Sequence, residues 1–151
     1  MKKSYSQEPG MSLIVKVITR LTVGLILLYG IYIVTHGHLS PGGGFAGGVI
    51  IALSFIHLML AFGKEEALGR LSKRFVSLFE GLGGLLFLIV AILGYKAGYF
   101  FYDWFVSKGK LFSLFSAGTI PLSYLAIGLK VTFGLFAIFL ALITIKLKAK
   151  K

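Results

Sequence analysis

The sequence predicts an all-α integral membrane protein with four transmembrane helices. Three observations carry that reading. Of the 151 residues, 57% are hydrophobic and 14% charged, against roughly 25% charged in ordinary soluble domains. The run Leu21–Gly63 holds 43 residues without a Lys, Arg, Asp or Glu; one crossing takes about 20, so this run crosses twice. The remaining Leu, Ile, Phe and Val runs are continuous rather than alternating, which argues for helices over a barrel.

The first helix is expected over about Val15–Thr35, with Lys16 and Arg20 able to snorkel outward from its opening turns. A glycine-rich turn, His36–Gly48, leads into the second, about Phe45–Gly63. Ser40 and Pro41 suit its start as cap and first-turn proline. The third helix is expected over about Phe75–Tyr95 and the fourth over about Pro121–Ile145, all within one domain, 1–151.

Basic residues then set the orientation. Lys2, Lys3, Lys16, Arg20, Lys64, Arg70, Lys73, Arg74, Lys146, Lys148, Lys150 and Lys151 fall on one side; Lys96, Lys108 and Lys110 fall on the other. The positive-inside rule therefore predicts both termini in the cytoplasm. The same distribution explains the net charge of +11 without nucleic acid as a partner. The segment from Tyr95 through Tyr99, Phe100, Phe101, Tyr102, Trp104 and Phe105 reads as an aromatic belt at the opposite surface or as an anchor for a partner subunit.

Cysteine is absent, which excludes disulfides, thiolate metal sites and Cys catalysis. No Ser-His-Asp set, carboxylate pair or cofactor fingerprint appears, so no cofactor and no independent catalysis are expected. No cleavable signal peptide is expected, because a second span follows the first directly. A Lys-rich chain without Asn hints at a thermophile.

Three ionisable residues fall inside the predicted helices: His57, Glu80 and Lys130. Such residues are costly in lipid and commonly mark an ion or proton route. Lys130 shares a helical face with Ala126, Gly134, Ala137 and Ala141, so it is expected to point into protein and to exchange a proton or to bond partner carbonyls. Counted from the predicted helix ends, Glu80 and Lys130 differ in depth by more than about 10 Å, too far for an easy bridge. His57 and Glu80 share a depth and are expected to pair, or else Glu80 reaches water and His57 is an interior histidine. His36 and His38 lack a third ligand, so no metal is expected. Gly43 with Gly47, and Gly44 with Gly48, form overlapping small-residue pairs for close helix packing, with Gly134 adding a third surface.

The glycine segment Gly37–Gly48 (GHLSPGGGFAGG) resembles the signature of the MnhB/MrpB family, membrane subunits of multisubunit sodium/proton antiporters. Ser116–Pro121 (SAGTIP) and Ile127–Val131 (IGLKV) extend the resemblance, which covers about Thr19–Thr144. Ala46 and Tyr124 depart from the family's usual Gln and Asn. The resemblance implies a non-catalytic plasma-membrane subunit of a larger assembly, moving Na+ and H+ with other membrane subunits. Related subunits occur in membrane-bound hydrogenase and sulfane sulfur reductase complexes, and the thermophile-like composition tilts the expectation toward such a respiratory complex. The alternative is a scaffold subunit that joins its neighbours without lining the ion path.

Overall fold

A computed structural model describes residues 11–63, 72–96, 98–102, 109 and 117–149 of the chain. It contains four helices: α1 (Leu13–Thr35), α2 (Gly43–Phe62), α3 (Lys73–Tyr95) and α4 (Ile120–Ala149). All four are long and apolar enough to cross a membrane. Lys2, Lys3, Lys64, Arg70, Lys108, Lys110, Lys150 and Lys151 from the orientation count lie outside the described residues, as do Trp104 and Phe105 of the aromatic stretch.

The far end of α4 lies four residues beyond its predicted place; the other predicted boundaries move by two residues or fewer. The helix runs on through Lys146, Leu147, Lys148 and Ala149, all good helix formers that need no apolar environment. At the start of α3, Ser72 caps the helix by accepting from the Phe75 N–H at 3.2 Å.

The start of α2 differs in kind from the expectation. Ser40 and Pro41 do not open the helix; Gly42 and Gly43 do, at φ +139° and +73°. Those values are open to glycine at little cost and to other residues only with strain. Ser40 serves the preceding turn instead. Its hydroxyl donates to the His36 carbonyl at 3.1 Å, and its N–H donates to the same oxygen at 3.0 Å. The turn thus belongs to the end of α1, and the glycines reverse the chain.

In space the helices form a row in the order α1, α2, α4, α3. Small residues set the spacing. A Cβ built on Gly30 of α1 would lie 2.6 Å from Ile51 Cγ1, and one on Gly47 of α2 would lie 2.9 Å from the Gly30 carbonyl. On the other face of α2, a Cβ on Gly48 would lie 2.8 Å from the Gly128 carbonyl of α4, and one on Gly44 would collide with the Tyr124 carbonyl. Separate glycines of α2 therefore serve each of its neighbours. The buried Thr132 hydroxyl adds a hydrogen bond across the second contact, donating to the Gly48 carbonyl at 3.1 Å. Toward the Lys73 end, Met59, Val76, Phe136 and Leu140 form a core shared by α2, α3 and α4.

Candidate functional site

Glu80 of α3 and Lys130 of α4 meet. The Lys130 ammonium donates to Glu80 Oε1 at 2.9 Å. This corrects the expected depth gap, and the cause is geometric. Helix ends do not mark a common plane: α3 has 23 residues and α4 has 30. Gly83 sets the true register. A Cβ on Gly83 would lie 2.6 Å from the Lys130 backbone N, so Lys130 is level with the middle of α3. Glu80 is then less than one turn away, about 4.5 Å along the axis.

Lys130 is only partly covered by this chain. Its side chain is 50% exposed and that of Glu80 34%. The small-residue stripe beside it divides along its length. Ala126 is buried against the Gly83 contact, whereas Ala137 is half-buried and Ala141 exposed. Gly134 makes no close backbone contact; a Cβ there would lie 3.9 Å from Glu80 Oε1. An alanine there would make ordinary contact with the carboxyl group.

His57 does not reach Glu80. It is hydrogen-bonded to Thr19 of α1, Nε2 to Oγ1 at 3.1 Å. Thr19 is fully buried. His57 also borders an open apolar groove of about 630 Å³ whose walls include Leu25, Ile26, Tyr29, Leu53 and Leu60. The pairing follows from the row order: α2 packs along α1, while Glu80 stands on α3 at the far end of the row.

The two edges of the α3–α4 contact differ. On the edge toward α2, the rings of Phe75, Phe79 and Phe133 cluster, with centroids 4.2 Å (Phe75–Phe79) and 5.2 Å (Phe79–Phe133) apart. Phe55 of α2 joins them, 6.5 Å from Phe133. The opposite edge carries the ion pair. Any polar route through this contact therefore runs along the edge away from α2.

Elsewhere, the Arg20 guanidinium lies over the Phe62 ring at 5.2 Å, which anchors one end of the α1–α2 pair. His36 Nδ1 bonds within its own turn, to Thr35 Oγ1 at 3.0 Å, and its ring stacks on Tyr32 at 4.2 Å. Among the described residues no three His, Cys, Asp or Glu side chains converge as a metal site. Tyr99, Phe100, Phe101 and Tyr102 are exposed, and Phe101 folds back onto Phe87 at 5.2 Å.

Sequence reasoning missed Thr19, Thr132, Gly30, Gly83 and Gly128 as contact residues. Each is small or weakly polar within an apolar run. The available signal was a glycine or threonine where a large aliphatic residue would be equally tolerated by the bilayer.

Residues 14–137 match the family model described as a domain related to the MnhB subunit of the Na+/H+ antiporter. An uncharacterised protein of Methanocaldococcus jannaschii is 37% identical over 119 residues, covering 74% of this chain and 44% of its own. A Staphylococcus aureus chain named for antiporter subunit mnhB2 is 40% identical over 80 residues, covering 53% of this chain and 56% of its own. Among solved structures, a chain of the membrane-bound sulfane sulfur reductase, an archaeal respiratory membrane complex, superposes with a TM-score of 0.74 at 34% identity, covering 88% of this chain and 60% of that one. The chain thus spans about half the length of the relatives it matches. It combines four membrane-spanning helices, the glycine turn and the matched family model, and it belongs to the MnhB-related family of Na+/H+ antiporter subunits.

Proposed function

We propose that the chain is a membrane subunit of an antiporter module, working inside a multisubunit complex, and that Glu80 and Lys130 take part in moving a proton or cation. The observation that carries this reading is the 2.9 Å ion pair near the middle of α3. Charged groups at that depth are expensive, about 2.5–3.5 kcal/mol for a central Lys on insertion scales. A subunit that served only as filler would satisfy the same packing with Leu. The likeness to a chain of the membrane-bound sulfane sulfur reductase supports a respiratory assembly of that or a related type, and the antiporter family supports Na+ and H+ as the ions handled. In this reading the redox chemistry belongs to other subunits. Both termini, on the side rich in Lys and Arg, face the cytoplasm by the positive-inside rule.

His57 is secondary in this scheme, because its partner is a threonine and its groove is apolar. The scaffold alternative draws its support from the backbone-to-backbone glycine contacts of α2. The two separate on one variant. A complex carrying Lys130→Ala should assemble normally and lose most sodium-dependent proton movement in vesicles. Unchanged transport by that assembled variant would remove Lys130 from the route and leave the scaffold reading.

A further inference from the structure

The ion pair does not stand alone on its edge of the α3–α4 contact. At about 100° per residue, Lys73, Ser77, Glu80 and Gly84 lie within one narrow sector of α3. Val76 and Gly83, to one side of that sector, are buried. Lys73 and Ser77 are exposed, and Glu80 and Gly84 are partly so. Across the contact, α4 offers Gly134, Ala137 and Ala141 on the same edge as Lys130. A strip of polar and small residues therefore runs from the Lys73 end to the middle of the span. There it stops at the Glu80–Lys130 pair. Toward the other end the α3 face turns apolar, through Phe87, Leu88 and Ala91.

We propose that this strip is one wall of a water-filled furrow, a half-channel that brings protons, and not sodium, from the Lys73 end to Glu80, and that a membrane helix of a neighbouring subunit forms the other wall. This rests on the subunit reading given above.

Three features support it. An ion pair exposed to this extent at mid-span cannot face hydrocarbon cheaply, so water or protein covers it. Gly81 has no atom within 4 Å of a built Cβ, and Gly84 has only Lys130 Cδ, at 3.9 Å; a second helix can approach closely there without displacing this chain. The covering helix meets a pair that is already neutral, so its matching chemistry is an uncharged hydrogen-bonding face: hydroxyl, amide or unwound backbone carbonyl. A carboxylate would leave one charge without a counterpart.

The charge pattern selects the ion. Lys73 and Arg74 stand at the mouth, so a metal cation meets positive charge on entry, and at the end the Glu80 carboxylate already has its counterion in Lys130. A proton needs no vacant site of that kind. It passes along hydrogen-bonded water to a Glu80 oxygen, forming an O–H bond there as the last water gives up its own.

The absence of cysteine from the chain makes the test direct. In the intact complex, single variants Ser77→Cys and Leu78→Cys are reacted with a water-soluble methanethiosulfonate from the Lys73 side. Ser77→Cys changes one atom, and Leu78, on a different face of α3, is the lipid-facing control. The expected result is labelling at least tenfold faster at position 77, faster with the anionic reagent than the cationic one, and independent of sodium. Equal rates at the two positions overturn the water-filled furrow. Protection by sodium overturns the proton assignment.

For the second wall, Gly84→Leu should cut co-purification of the other membrane subunits at least tenfold. Gly24→Leu, at an open glycine on α1, should leave it within twofold. Equal retention by both variants, or equal loss, overturns the docking helix. A thiol cross-link from Gly84→Cys to a second copy of this chain overturns its assignment to another subunit. A tagged wild-type chain that purifies alone would overturn the subunit reading itself, a result distinct from any labelling outcome.

Discussion

The two larger contacts made by α4 are built on opposite principles. Toward α2 the helices touch backbone to backbone: Gly44 and Gly48 lie against the carbonyls of Tyr124 and Gly128, and a buried threonine bonds across. Toward α3, one glycine, Gly83, sets the register, and beside it stands a half-exposed ion pair. In lipid there is no hydrophobic drive between helices, so close approach and interhelical bonds must supply the cohesion. The α2 contact devotes its glycines and its threonine to cohesion. The α3 contact adds a half-exposed ion pair to its packing. Under the proposed function, the first contact holds the chain together and the second serves transport.

That contrast can be broken most forcefully at Gly44 or Gly48. Leucine at either position must push α2 off α4, and we expect a loss of about 3 kcal/mol, read by reversible unfolding in bicelles. A loss under about 1 kcal/mol would show that the seam tolerates separation.

The next effect is at the ion pair. Glu80→Leu leaves the Lys130 ammonium without its partner and should cost about 2–3 kcal/mol. The double variant Glu80→Leu/Lys130→Leu should recover most of that stability while remaining inactive in transport. A double variant no more stable than the single one would make the pair a structural clasp. A smaller effect is expected for Thr132→Val, about 0.6–1.7 kcal/mol for one interhelical bond, in the same unfolding assay. The smallest is Gly81→Ala, within about 0.5 kcal/mol of zero for the separated chain, because nothing lies near its Cβ position. A large loss there would mean that α3 meets something within the chain itself.

The same contrast explains what the sequence made legible. Four spans follow from apolar length alone, and the Gly44–Gly48 pair follows from its four-residue spacing; the Gly43–Gly47 pair does not hold, because Gly43 opens the helix against Tyr124 while Gly47 meets α1. The start of α2 could not be read that way. Ser40 and Pro41 have the composition of a helix opening, but Ser40 is already committed to the His36 carbonyl, a choice made by the geometry of the turn. Nor could the meeting of Glu80 with Lys130. Counting residues from helix ends assumes a shared starting plane, and the 30 residues of α4 beside the 23 of α3 violate it. Register between helices is a property of the contact, here of Gly83 under Lys130, and a span-by-span reading has no access to it. The choice of partner for His57 was hidden for a related reason: the order of helices in space is not their order in the chain.

That spatial order has a consequence for how the protein is made. During synthesis α3 leaves the ribosome before α4, and its lasting neighbour along most of its length is the helix that follows it rather than the two that came first. Glu80 therefore leaves the ribosome ahead of the Lys130 that will meet it. Until α4 is threaded, α3 has its own apolar length and the cationic Lys73 and Arg74 at its end to hold it, and the insertion of α4 supplies the countercharge.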